Sequence, residues 1–529
     1  MVIGAGSAGC VLANRLSEDP DVKVLLLEAG GTDWNPLIRV PLLTRILFSL
    51  PSLNWGYETE EEPGLDGRRV SWPRGKVLGG SSSINGMTYI RGHARDFDDW
   101  RQAGCGGWGY DAVLPYFRRS ERNKKGPPYH GSEGEMGVSR APLIHPLDEF
   151  FMASCAALGA TKNDDFNGAK QEGYGIHDFT IDRGRRQSTS TAFLAPAKPR
   201  ANLTVKSRAL ATRIFVDKGG RAASVNFIHN GKISVARVRR ETILCGGAIN
   251  SPQLLMLSGI GDAAELRKHG ISVQADLPGV GANLQDHLGA YVATECTEPV
   301  TLRRQLRYDR AGFSVARALL LSTGPATAIP ISACAFLHTS VDSEIPDVQC
   351  TLIPGLVLNN PWRRPDRHGF LLNAYQLRPH SRGTVTLRSS DSMDKPIIRA
   401  GYLTDPKDIE ILREGVRLVR RIAAQEPFAA VRGNEISPGK DVKSDAALDT
   451  WIRSNATTFF HPVGTCRMGV DPLSVVDPEL RVRGIEGLRI ADASVMPTIV
   501  GGNTNAATIM IAEKAADLIR SRGLPAENH

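Results

Sequence analysis

At 529 residues the chain is too long for one compact core and long enough for two intergrown domains. A hydrophobic share of 41% and a charged share of 23% fit a soluble globular protein, and the net charge of +8 is modest for this length. Basic groups such as Arg183, Arg185 and Arg186, or Arg237, Arg239 and Arg240, come without interleaved aromatic residues, which argues against a nucleic-acid partner.

In chain order the opening predicts strand, glycine turn, helix, strand. Val2-Ile3 is the stub of a buried strand, Gly4 to Gly9 a turn, Val11 to Leu16 a helix and Val22 to Leu27 a second apolar strand ending at Glu28. The first strand is short for a buried one, since Met1 stands only three residues before Gly4; either the true start lies upstream or the edge of the sheet is weakened there. A second Gly/Ser-rich turn runs from Gly75 to Asn85, and β-rich stretches alternate with turns from Leu203 to Thr242. Thr242 to Leu244 reads as a short strand leading through Gly246-Gly247 into a helix over Pro252 to Leu257. Residues 291 to 454 change character, mixing strands such as Gly383 to Leu387 with an amphipathic helix over Ile409 to Ala424, which suits a separate substrate-covering domain. Leu488 to Ile490 is a strand leading to Asp492, and Ala506 to Ile519 is an apolar-faced helix.

Gly4, Gly6 and Gly9 make a GxGxxG turn between strand and helix. The first glycine permits the turn, the second lets a pyrophosphate approach the backbone, and the third lets helix and strand pack closely. The start of the helix, with Ser7 and Ala8, offers free N–H groups and a partial positive charge to phosphates. Glu28 ends the second strand, where a carboxylate accepts hydrogen bonds from ribose hydroxyls. Together these features predict a dinucleotide site without separating FAD from NAD.

The second turn, Gly75-Lys-Val-Leu-Gly-Gly-Ser-Ser-Ser-Ile-Asn85 followed by Gly86-Met87-Thr88-Tyr89, helps to separate them. There the sequence resembles the glucose–methanol–choline (GMC) oxidoreductase family, and the likeness runs on through Gly92 and Asp98. A second family signature stands at Gly247 to Gly261, the Gly-Val-Gly-x-Asn-Leu-Gln-Asp-His run at Gly279 to His287, and the carboxy-terminal pattern at His461 to Gly469 and Asp492 to Asn505. The resemblance spans essentially the whole chain. It implies an α/β architecture in which a Rossmann-type FAD-binding domain carries a second, α+β substrate-binding domain built on an antiparallel sheet. The implied division is 1–290 for FAD, with 141–186 partly in the substrate domain, 291–454 for substrate, and 455–529 as a return to the FAD domain. It further implies that Val77, Gly80, Ser81, Asn85, Gly86 and Met87 line the flavin, that Val205 contacts the adenine, and that Asp492 and Ala493 lie near the ribityl chain. Relatives that bind FAD covalently carry a histidine just before the motif's asparagine; Ile84 stands there, which implies noncovalent FAD. The Gly-Gly-Ser-Ser-Ser-Ile-Asn-Gly-Met-Thr-Tyr-Ile-Arg-Gly run is most similar to the choline dehydrogenase and bacterial aliphatic alcohol dehydrogenase branches. Those branches pass electrons to an acceptor other than oxygen, a quinone or an electron-transfer protein.

His461 and Asn505 resemble the family's catalytic pair. Hydride leaves an alcohol carbon for flavin N5 only as the hydroxyl loses its proton, and an imidazole suits that task near neutral pH. The amide of Asn505 would hold the same oxygen and aim the C–H. Asn503-Thr504-Asn505 also opens the last helix, whose N-terminus would stabilise negative charge on the reduced ring. Many relatives have proline at the Thr504 position, a small departure. The bland alternative makes His461 a satisfied core histidine and Asn505 a helix cap.

Other candidates rank lower. His287 reads as structural, His93, His229 and His380 as surface residues, and Ser81, Ser82 and Ser83 as hydroxyls that satisfy a turn, with no GxSxG elbow to make them nucleophiles. Eight cysteines without paired spacing predict reduced thiols in the cytoplasm, with neither a disulfide framework nor a metal site. The first motif leaves no room ahead of it for a signal peptide, and no apolar run is long enough to span a bilayer. Gly312 to Leu321 is apolar with arginines upstream, which suits either a lid helix or peripheral contact with the inner face of the cell membrane. The expected activity is oxidation of a choline-like or aliphatic primary alcohol to the aldehyde. Its rivals are an alcohol oxidase that releases hydrogen peroxide and a non-redox FAD-containing lyase.

Overall fold

A computed structural model describes residues 1–141, 145–305, 307–357 and 365–520. The parts of the expected segments 141–186, 291–454 and 455–529 that fall at 142–144, 306, 358–364 and 521–529 lie outside the described residues.

Two sheets organise the chain. The first is parallel, with strands in the spatial order Leu203–Lys206, Val24–Leu27, Val2–Ile3, Thr242–Leu244 and Leu488–Ile490. Parallel sheets are covered on both faces, so their strands read as continuous apolar runs, as Val-Leu-Leu-Leu does at 24–27. The two-residue strand Val2–Ile3 sits at the centre of this sheet and is bonded on both sides. Its shortness is therefore no sign of an edge. The helices Ser7–Leu16 and Thr504–Arg520, from opposite ends of the chain, pack together. A buried ion pair ties them, with Arg15 Nη2 2.8 Å from Glu513 Oε1.

The second sheet is antiparallel and has seven strands. The path is Arg432–Ser437, Leu288–Cys296, Gly369–Gln376, Val348–Ile353, Ala333–Leu337 and Gly173–Ile176, and Thr457–Thr458 joins it beside Leu288–Cys296. The amphipathic helix Pro406–Ala424 covers its outer face, burying Ile409, Leu412, Val416, Val419 and Ile422. The helix expected from Pro252 begins earlier, at Gly247, and carries Pro252 inside it. The strand expected over Gly383 to Leu387 is confined to Thr384–Thr386. All eight cysteines are buried free thiols. Among the described residues no helix is long and apolar enough to cross a membrane.

Candidate active site

The glycine turn builds one end of a cavity of about 500 Å³ that runs from the parallel sheet to the antiparallel one. Gly4 takes a left-handed φ of +97°, and a Cβ there would stand 2.5 Å from the Cys245 carbonyl oxygen. A Cβ on Gly9 would stand 1.8 Å from the Gly4 oxygen, so helix and strand meet only because Gly9 has none. Gly6 differs from both. A Cβ on it would find nothing nearer than 3.9 Å, so the protein's own packing does not demand glycine there. The helix Ser7–Leu16 starts beside it, and its first-turn N–H groups face the cavity that Ser7 and Ala8 line.

The second turn closes over the first, placing a Gly80 Cβ, had there been one, 2.7 Å from the Gly6 Cα. The three serines behave as turn hydroxyls: Gly75 N donates to Ser81 Oγ, Ser82 Oγ donates to the Gly79 carbonyl and Ser83 Oγ to that of Leu78. Glu28 is buried, and its two oxygens accept from Ala5 N at 2.8 Å and Gly30 N at 2.7 Å. Burial pushes this carboxyl up to about 7, against the pull of those two N–H groups. Each oxygen keeps a lone pair for a hydroxyl. A backbone cradle open at Gly6, a helix N-terminus and a buried acceptor at the strand end fit the diphosphate and ribose of a dinucleotide.

Of the expected cofactor residues, Gly4, Gly6, Ser7, Ala8, Glu28, Gly80, Ser81, Asn85, Gly86, Met87, Asp492 and Ala493 line this cavity. Gly9, Val77 and Val205 are not on its wall. Gly9 faces the strand it packs on. Val77 is wholly buried in a separate apolar cluster with Ile38, Leu47, Leu53 and Ile84. Val205 lies in the outermost parallel strand, and Ala209, Leu210 and Ala211 reach the cavity instead. Asp492 accepts from Gly247 N and Ser251 Oγ and so holds the start of the helix Gly247–Leu257 at the wall.

At the other end stands His461, 8% exposed. Its backbone N–H donates to Asp286 Oδ1 at 2.6 Å, while Thr458 and Tyr402 donate to Asp286 Oδ2. Its ring is fixed by a chain of bonds. His287 Nε2 lies 3.0 Å from the Leu377 carbonyl, which can only accept, so Nε2 carries the proton of a neutral His287. His287 Nδ1 is then an acceptor, and His461 Nδ1, 2.9 Å away, donates to it. That leaves the His461 Nε2 lone pair facing the cavity, where Asn503 Nδ2 meets it at 2.9 Å. Burial holds His461 well below the ordinary imidazole value, helped by nearby His287 and Arg74, and burial takes His287 down to about 4. Both rings are therefore neutral near pH 7. This arrangement is a base with a fixed tautomer.

The residue beside His461 is Asn503, whereas the expectation named Asn505. Asn505 also lines the cavity, and its Oδ1 accepts a 2.7 Å hydrogen bond from Ser7 Oγ at the start of the first helix. The Asn503 Oδ1 atom is buried without a partner, an acceptor left open on the cavity wall. His287, expected to be structural, holds the His461 ring in place, and His177, another buried histidine on the wall, stands in no sequence motif. His93 caps the helix Ala94–Gln102, His380 is exposed and His229 is half-buried.

Comparison with known proteins places these features in a wider set. Two family models, both described as GMC oxidoreductase, match residues 1–289 and 379–512. The oxygen-dependent choline dehydrogenase of Sinorhizobium fredii is 44% identical over 522 residues, 98% of this chain and 95% of that protein. The mitochondrial choline dehydrogenase of Mus musculus is 43% identical over 532 residues, 98% of this chain and 89% of that one. Among solved structures, pyridoxine 4-oxidase from Mesorbium loti superposes with a TM-score of 0.90 at 31% identity over 99% of both chains. A formate oxidase variant from Aspergillus oryzae superposes with a TM-score of 0.92 at 27% identity over 98% of this chain and 97% of that one.

Proposed function

Because the chain belongs to the GMC oxidoreductase family, FAD-dependent enzymes acting on CH–OH groups, we propose that it oxidises a primary alcohol, choline-like or aliphatic, to the aldehyde with His461 as base and Asn503 as its partner. One observation carries the assignment: the cavity that begins at the glycine turn ends at a histidine whose free Nε2 and neighbouring carboxamide converge within 2.9 Å. Bound FAD supplies the two-electron acceptor for the hydride. The alcohol hydroxyl displaces the Asn503 amide from Nε2, donates its proton there, and accepts from Asn503 Nδ2. His287 keeps the His461 tautomer in place by accepting from Nδ1 as the proton arrives.

FAD is held noncovalently in this reading, with buried, unreactive Ile84 before Asn85, and acid precipitation should release the flavin. Electrons leave to an acceptor other than oxygen, a quinone or electron-transfer protein. The helix Tyr308–Leu321 supports peripheral contact with the inner face of the cell membrane, since Phe313, Leu320 and Leu321 are 70%, 81% and 68% exposed. A second reading is an oxidase that releases hydrogen peroxide, favoured by the pyridoxine and formate oxidases among the structural neighbours. Anaerobic reduction by alcohol followed by an oxygen pulse separates the two, since fast reoxidation with stoichiometric peroxide means oxidase. The test of the base is His461→Ala, which should keep the yellow cofactor but slow its anaerobic reduction by at least about a hundredfold. Near-normal reduction would remove His461 from the role.

A further inference from the structure

The wall facing His461 is one face of the antiparallel sheet, and register decides what that face carries. Gly289 pairs with Tyr375 and Tyr375 with Gln349; one step along, Tyr291 pairs with Asn373 and Asn373 with Thr351. Side chains alternate between sheet faces, so these two rows present phenol, amide and hydroxyl groups together on one side. Gly289 contributes no side chain, because its Cβ would stand 2.5 Å from both Phe459 and Tyr375. Among the described residues no carboxylate stands in these rows.

The three carboxylates on the cavity wall lie elsewhere. Glu28 and Asp492 are engaged at the glycine turn and at the start of the helix Gly247–Leu257, and Asp394 is on an exposed loop. Asp286, behind His461, has its oxygens taken by His461 N, Thr458 and Tyr402. Arg74, also on the wall, donates from its Nη2 to the Phe460 carbonyl. Phe459 stacks on Tyr375 at 4.2 Å and on Tyr291 at 5.5 Å, while the Trp55 ring is covered by Lys76 at 4.4 Å.

A quaternary ammonium group leaving water needs a carboxylate or free ring faces in return. These rows offer no carboxylate, and each of their two tyrosine rings has one face taken by Phe459. They do offer the Oδ1 atom of Asn373, which is 3% exposed as a residue and has no hydrogen-bond partner at that oxygen. A buried acceptor without a donor is costly, and a ligand hydroxyl would relieve it.

We propose that the chamber selects an uncharged alcohol bearing a second hydrogen-bond donor, read by Asn373, and discriminates against quaternary ammonium alcohols. The inference rests on the alcohol-oxidising reading of His461 and, of the two substrate classes named there, takes the aliphatic one over the choline-like one.

Anaerobic stopped-flow reduction of the holoenzyme tests it with matched probes. Choline and 3,3-dimethylbutan-1-ol share a shape and differ in charge; butane-1,4-diol and pentan-1-ol share a length and differ in the second hydroxyl. The neutral isostere should half-saturate the reduction rate at a concentration at least tenfold lower than choline, and the diol should be favoured over pentan-1-ol. Asn373→Leu should abolish the preference for the diol, and Asn373→Asp should narrow the gap between choline and its isostere, with FAD content reporting that each variant is folded. Choline binding as well as its neutral isostere, or pentan-1-ol as well as the diol, in the wild-type enzyme would overturn the inference while leaving alcohol oxidation intact. Failure of every probe, and of benzyl alcohol, to bleach the flavin would overturn both.

Discussion

Two asparagines two positions apart make different contacts at the start of the last helix. Asn503 precedes the helix and reaches His461, while Asn505, in the first turn, reaches Ser7. Asn503→Ala should therefore slow anaerobic flavin reduction by about tenfold or more, whereas Asn505→Ala should cost about 1 kcal/mol of stability and leave the limiting rate near that of the wild type. Equal losses in the two variants would contradict the division. The pH profile belongs to the same scale. His461 is held well below its ordinary value by burial, so its base form persists as acid is added. The limiting rate of reduction should stay level from pH 8 to about 6, and a fall centred near pH 6.5 would show an ordinary solvated imidazole.

The glycine turn shows which of its glycines the chain's own packing requires and which it leaves free. Gly4 and Gly9 are required by protein contacts, as a left-handed φ and a 1.8 Å approach demand. Gly6 has no such requirement from its neighbours. Gly6→Ala should therefore yield a folded protein, with near-UV circular dichroism and apoprotein melting close to the wild type, that purifies with most of its flavin missing. Gly9→Ala should fail earlier, in folding itself. A yellow Gly6→Ala protein with full flavin content would remove the second glycine from the cofactor's approach. In sequence, this motif was legible because all its parts lie within one strand–turn–helix unit. That packing demands Gly4 and Gly9 but not Gly6 emerged only from the atoms opposite each one.

At the scale of the whole molecule, several buried histidines are kept neutral by the core. His287 is taken down to about 4 and His177 to about 3, both by burial. Unfolded imidazoles take up protons below about pH 6.5, so between there and pH 4 the unfolded chain holds more protons than the folded one. Stability therefore falls as acid is added through that window, by up to about 1.4 kcal/mol per pH unit for each such histidine. Glu28, raised to about 7, acts in the opposite sense, because its folded carboxyl takes a proton first. The contribution of one histidine is isolated by comparison: His177→Gln should show a shallower fall of Tm from pH 6.5 to 4 than the wild type. Parallel curves would mean that His177 is solvated.

The sequence by itself determined the local devices: the strand–turn–helix with Glu28, the second Gly/Ser turn, the apolar strands near 22–27 (24–27 in the structure), 242–244 and 488–490, and a histidine within a long family motif. Each rests on neighbours in the chain, where backbone geometry and side-chain period act directly. Tertiary structure alone decided which groups meet. His287 and His461 touch across 174 positions, and Asn373 stands between Tyr291 and Thr351 because of strand register. Asn503 rather than Asn505 meets His461, since residues two apart near a helix start point in nearly opposite directions, and only the packing of the last helix on the first fixes which of the two reaches the histidine.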